Sequence, residues 1–245
     1  MSMDPSVAER AAELSAQTID ARRKKIDRMF AGLLVIQYIA GIIGAFAVSP
    51  YAWEGKERVL HMHVWVAILA GAGITILPVL LAIFRPGRVM TRHVIAASQM
   101  LSSALLIHLT GGRIETHFHV FGSLAFLAFY LDWKVLLTAT TVVAADHFLR
   151  GIYWPESVYG VANAEWWRFL EHAAWVVFED IFLVWACIFG LREMQTASSR
   201  QAEVEHLSEQ EQLKSAALEM ALAEIRSTPA TAQDFPETFF PPTSL

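Results

Sequence analysis

The sequence predicts an all-α polytopic membrane protein: a six-helix transmembrane bundle with a cytoplasmic helical, coiled-coil-like C-terminal extension. Three observations carry that prediction. Six apolar runs have the length a bilayer demands, about 20 residues at 1.5 Å rise; they cover about 29–49, 62–84, 93–109, 117–131, 134–150 and 168–191. The chain is 55% hydrophobic although both its ends are strongly polar, so its middle is more apolar than a soluble core requires. Lysine and arginine gather at one set of run ends.

Taken in order, residues 1–28 form a cytoplasmic N-terminal segment whose first 20 residues read as a short amphipathic or frayed helix. No signal peptide is expected, because the start is acidic and polar and the first apolar run follows a basic cluster. Residues 29–192 form the membrane domain. Its fourth and fifth runs are short and are divided by Leu131-Asp132-Trp133-Lys134. Two short helices joined by a tight turn are favoured over one long helix with a buried Asp and Lys. Soluble bundle helices would carry a polar stripe, which these runs hardly show.

Residues 193–226 are rich in Glu, Gln, Ala and Leu and lack Gly and Pro, as a signalling helix would. Val204, Leu207, Leu218, Ala221 and Ile225 follow a heptad, while Glu211 and Lys214 occupy its other seam positions. That pattern predicts a weak coiled coil joining a homodimer; a solvated helical tail is the plain alternative. From residue 227 to 245 Pro, Thr and Phe dominate, and disorder is expected.

The charges orient the bundle. Arg22, Arg23, Lys24, Lys25, Arg28, Arg85, Arg88, Arg92, Lys134, Arg192 and Arg200 fall on one side, and Lys56, Arg58, Arg113, Arg150 and Arg168 on the other. This asymmetry predicts a multi-pass membrane protein, surrounded by lipid, with both termini cytoplasmic. Trp53, Trp154, Trp166 and Trp167 then form an outer aromatic belt. A net charge of −5 gives no nucleic-acid footprint. The single cysteine, Cys187, lies in an apolar run, which excludes a disulfide framework and a thiolate metal site.

On this topology seven of the nine histidines lie towards the outer face: His61, His63, His108, His117, His119, His147 and His172. Imidazole is the commonest metal-binding side chain. His61-Met62-His63 and His117-Phe118-His119 each repeat a His-x-His pair at the start of a span. Such a pair chelates when extended; in a regular helix its members diverge by about 200°, so both reach one metal only where the segment opens irregularly. The break at Gly111-Gly112 makes that plausible. The plain alternative is an interfacial histidine bonded to backbone or headgroup. His93 beside Arg92 reads as interfacial, and His206 in the polar extension as solvated.

Carboxylates accompany the histidines. Asp146 precedes His147, Glu115 precedes His117 by two, and Glu171-His172 is followed by Glu179-Asp180. His172 and Glu179 share a helix face about 10 Å apart, and ionisable groups at membrane depth are expensive and usually functional. The candidate metal set is therefore His61, His63, His117, His119, His147 and His172, with Glu115, Asp146 and Glu179 as direct or supporting oxygens. Imidazole with carboxylate suits zinc, copper or iron, and so many ligands allow a dinuclear site. Haem b is the competing cofactor, with His63, His119, His147 and His172 as its candidate axial ligands.

Several stretches carry a resemblance: Gly111 to His119, Tyr130-Leu131-Asp132-Trp133, Ala145-Asp146-His147, Trp154 to Gly160, Glu171-His172 and Phe178-Glu179-Asp180. Together they resemble the multi-span N-terminal sensor region of some bacterial sensor histidine kinases, diguanylate cyclases and chemotaxis receptors, over about residues 29–192. The resemblance implies an input module of the bacterial inner membrane, of the kind found in two-component signal transduction, whose last helix runs into a cytoplasmic signalling helix. No kinase core, cyclase signature or methylation hairpin follows, so output falls to a cytoplasmic signalling partner or to a domain missing from this sequence. The leading expectation is thus a metal- or haem-containing sensor rather than an enzyme. The alternative is a membrane metalloenzyme of dinuclear oxidase or hydroxylase type using the same histidines. A transporter ranks last, because the polar residues gather on one half of the bundle.

Overall fold

The computed structural model describes residues 4–227. Among these, the chain folds into seven α-helices, one short 3-10 turn and one hairpin. The tail expected to be disordered lies outside the described residues beyond Ser227.

Helix α1 runs unbroken over Pro5–Val48. Asp4 caps it, accepting from the Ser6 amide at 2.9 Å, and Pro5 sits where a missing N–H costs nothing. A short or frayed N-terminal helix was expected here. Instead the polar first turns are held by packing: Val7 and Ala11 bury against Ala202, and Arg10 pairs with Glu205 at 2.9 Å. Ser49-Pro50 ends the helix. A hairpin follows, β1 (Tyr51–Glu54) against β2 (Glu57–Leu60), turning through Gly55 at φ 63°. Four-residue strands give too little alternation to announce themselves in sequence.

Helix α2 (Met62–Phe84) lays the small residues Ala67, Gly71 and Thr75 towards its neighbours. A Cβ on Gly71 would sit 2.8 Å from the Tyr38 ring, so glycine permits the close contact with α1. Helix α3 (Val89–Leu109) then takes the centre of the bundle and packs on α1, α2, α4 and α5. Its buried face includes Gln99 and Ser103; Gln99 donates to Ser123 at 2.9 Å. Helix α4 (Ile114–Leu127) ends in the 3-10 turn Ala128–Tyr130, and helix α5 (Trp133–Tyr153) starts after Leu131, which adopts φ 51°. Asp132 caps α5 and pairs with Arg92 at 2.9 Å, so the turn supplies this carboxylate with the partner that a continuous helix would deny it.

A short helix, α6 (Glu156–Tyr159), precedes the 60-residue α7 (Arg168–Ser227). Leu131 seats on α7 at Gly190, where a Cβ would lie 2.9 Å from its side chain. Nearby, Asp27 is wholly buried, accepting from the Tyr130 hydroxyl and the Gly87 amide, both at 2.6 Å. Burial pushes its carboxyl up from the ordinary value, and these hydrogen bonds oppose the shift.

Among the described residues four helices, α1, α2, α5 and α7, are long and apolar enough to cross a membrane. Helices α3 and α4 fall outside that set for different reasons. The first is surrounded by protein and tolerates polar residues; the second has only 14 residues.

Candidate metal centre

Three of the expected ligands converge. His117 in the first turn of α4, His147 on α5 and His172 in the first turn of α7 each offer a ligand atom, and these atoms lie within 4.8 Å of one another. The rings of His117 and His172 stack at 5.1 Å, and His147 stands edge-on to them at 5.5 and 5.7 Å.

The backbone fixes two of the tautomers. His117 Nδ1 lies 3.0 Å from the Arg113 carbonyl, and His147 Nδ1 lies 3.1 Å from the Val143 carbonyl. A carbonyl only accepts, so each Nδ1 carries the proton and each Nε2 presents a lone pair. His117 Nε2 and His172 Nδ1 are buried without a hydrogen-bond partner. Both nitrogens are thus available to a bound group. Three imidazoles aimed into one small volume suit a transition metal ion, which they would hold through nitrogen.

Surrounding groups hold the rings. Asp146 Oδ2 lies 3.4 Å from His147 Nδ1 and is anchored by Arg150 at 2.6 Å. Arg150 also donates to the Ser157 hydroxyl and the Ala104 carbonyl, joining α5 to α6 and α3. Tyr159 stacks on His172 at 5.5 Å, and burial raises its phenol above the ordinary value. Gly112 and Gly160, at φ 74° and 67°, pass so closely that a Cβ on Gly112 would lie 2.3 Å from the Gly160 amide nitrogen. That contact docks the end of α6 against the loop between α3 and α4 and thereby sets Tyr159 beside the triad. Sequence reasoning gave Tyr159, Gly160 and Arg150 no role at the site; the Gly111-Gly112 pair and the Trp154 to Gly160 stretch were the signals near them.

The other candidates lie elsewhere. Helix α4 is regular from Ile114, so His119 diverges from His117 as helical phase requires. His119 contacts Gln37 through Nε2 at 3.1 Å and Ser103 through Nδ1 at 2.8 Å, which makes it a hydrogen-bonded core histidine. His61 caps α2, accepting from the His63 amide at 3.1 Å, and His63 packs against His108 at 4.9 Å. These form a separate cluster with Trp154. Glu115 is exposed beside Arg113 at 3.5 Å. Glu179 lies further along α7 with one buried, unpartnered oxygen, and neighbouring Asp180 accepts from Thr140. The four haem candidates are thereby divided: only His147 and His172 adjoin, while His63 and His119 sit in separate clusters.

Replacing His119 by Ala should therefore leave metal content unchanged. It strands the Gln37 amide, so it should cost about 1–3 kcal/mol in stability, read by thermal unfolding of the purified protein. Lost metal in this variant would place His119 in the site after all.

No family model and no solved structure matches the chain. Transducer protein Htr8 of Halobacterium salinarum is 31% identical over 125 residues, which cover 49% of this chain and 18% of that protein. The chain resembles a transducer. It spans about a fifth of the length of that curated relative.

Proposed function

We propose that this chain is the membrane input module of a signalling protein, sensing through a metal ion held by His117, His147 and His172. The convergence of three imidazoles from three helices, two with backbone-fixed tautomers, is the observation that carries the reading. Likeness to a transducer supports the sensory role. Zinc, copper or iron suits the donors. The ion ties α4 and α5 to α7, so its occupancy, redox state or ligation biases the position of α7. A second route runs through α4, whose terminal turn seats on α7 at Gly190.

In this reading α3 and α4 complete six spans inside the four more apolar helices, and both termini are cytoplasmic. Single cysteines test the topology. Lys56→Cys in the hairpin should react with an impermeant maleimide in intact cells, and Arg88→Cys should not. The reverse pattern would move the triad towards the cytoplasmic face.

Beyond Ala202 the apolar positions of α7 are open: Val204, Leu207, Leu218 and Ile225 are more than half exposed. This supports a homodimer through the extension and a cytoplasmic partner that reads it. Disulfide formation between Leu207→Cys copies should differ between metal-free and metal-loaded protein if occupancy moves α7. Equal cross-linking in both states contradicts a sensor and favours the metalloenzyme, whose chemistry needs no moving tail.

A further inference from the structure

The surroundings of the triad identify the class of molecule it senses. His117, His147 and His172 share the wall of a cavity of about 520 Å³ between α4, α5 and α7. That volume is typical of small-molecule sites. The rest of the wall is apolar, including Val120, Phe121, Val143, Ala144 and Val176. Its two threonines are spent: the Thr140 hydroxyl donates to Asp180 and the Thr141 hydroxyl to the Leu137 carbonyl. The imidazoles are therefore the polar groups left facing the space. A second recess, lined by Ile114, Phe118, Phe121 and Trp175, reaches His117 and His172 and is equally apolar. A fourth ligand on a three-imidazole ion thus meets an apolar wall on both approaches. Phe148 and Val177, 44% and 53% exposed, edge the larger cavity between α5 and α7.

We infer that the fourth coordination position takes an uncharged, largely apolar molecule with one metal-binding atom, admitted from the bilayer between α5 and α7. This rests on the metal reading above. An anion or a hydrated polar ligand would lose its solvation there without a partner to replace it.

The test uses the full chain loaded with Co(II), a spectroscopic ion, titrated with pyridine and its 4-ethyl, 4-butyl and 4-hexyl derivatives at measured free aqueous concentrations. Affinity should rise about fourfold per methylene until the cavity fills, because each buried CH₂ contributes transfer free energy. Ala144→Phe, which narrows the cavity and replaces no ligand residue, should flatten that rise while Co(II) stays bound. A flat series in the wild type overturns the inference. So does a rise that survives Ala144→Phe, since the gain would then come from partition into lipid. Azide binding more tightly than butylpyridine overturns it too. If Co(II) does not bind at all, the metal reading falls and takes this inference with it.

Discussion

Replacing His147 by Ala should abolish stoichiometric metal binding. Losing a supporting group around a metal typically costs 10–100-fold in affinity, and a lost ligand costs more, so a decrease beyond about 100-fold is expected. His117→Ala and His172→Ala should behave alike, because each leaves only two imidazoles. Metal analysis after size exclusion, with helix content as the check on folding, reads the result. The same variants should lose metal-dependent stabilisation, which for wild type at a hundredfold excess over Kd is about 2.7 kcal/mol. His206→Ala, half-buried on the C-terminal part of α7, should change neither quantity. Three variants that fold and keep full metal would leave the triad a structural cluster.

Gly112→Ala should be the most damaging change outside the ligands. Its φ of 74° lies in the left-handed region, which alone costs a side chain about 1–2 kcal/mol. The added Cβ would also meet Gly160 backbone at 2.3 Å, where no flexible side chain can yield. Gly111→Ala is the internal control, since it shares the left-handed φ of 70° but meets nothing within 4 Å. Gly112→Ala should therefore lower the unfolding midpoint well beyond Gly111→Ala and weaken metal binding by displacing α6 and Tyr159 from His172. Equal effects of the two substitutions would mean that the close glycine contact does not position the site.

The helical segments were readable because their breaks have chemical causes in the sequence: Pro50, Gly87, the glycine pair and the Asp132 cap. The span of α1 was not, because what holds its first turns is contact with Ala202, some 190 residues away, and no local pattern encodes that. Helix α3 shows the converse. Its moderate hydropathy makes it a weak span by composition, yet inside the bundle Gln99 donates to Ser123 and Ser103 donates to the Gln99 carbonyl. For the site, residue type and rough depth were legible, and helical phase already said that His117 and His119 would part in a regular helix. Which of the two turned towards His147 and His172 depended on how α4 is rotated about its axis. The Gly112–Gly160 contact lies against the start of that helix, and it joins segments distant in sequence.

The most direct measurement of the central claim is X-ray absorption at the edge of whatever transition metal purifies with the full chain. Three imidazole nitrogens at about 2.0–2.1 Å, with their characteristic ring scattering, are expected for zinc, and an open or lightly held fourth position beside them. His147→Ala should remove that signature. A shell made of oxygen or sulfur, a haem spectrum, or protein that folds and purifies without binding any added metal would contradict it.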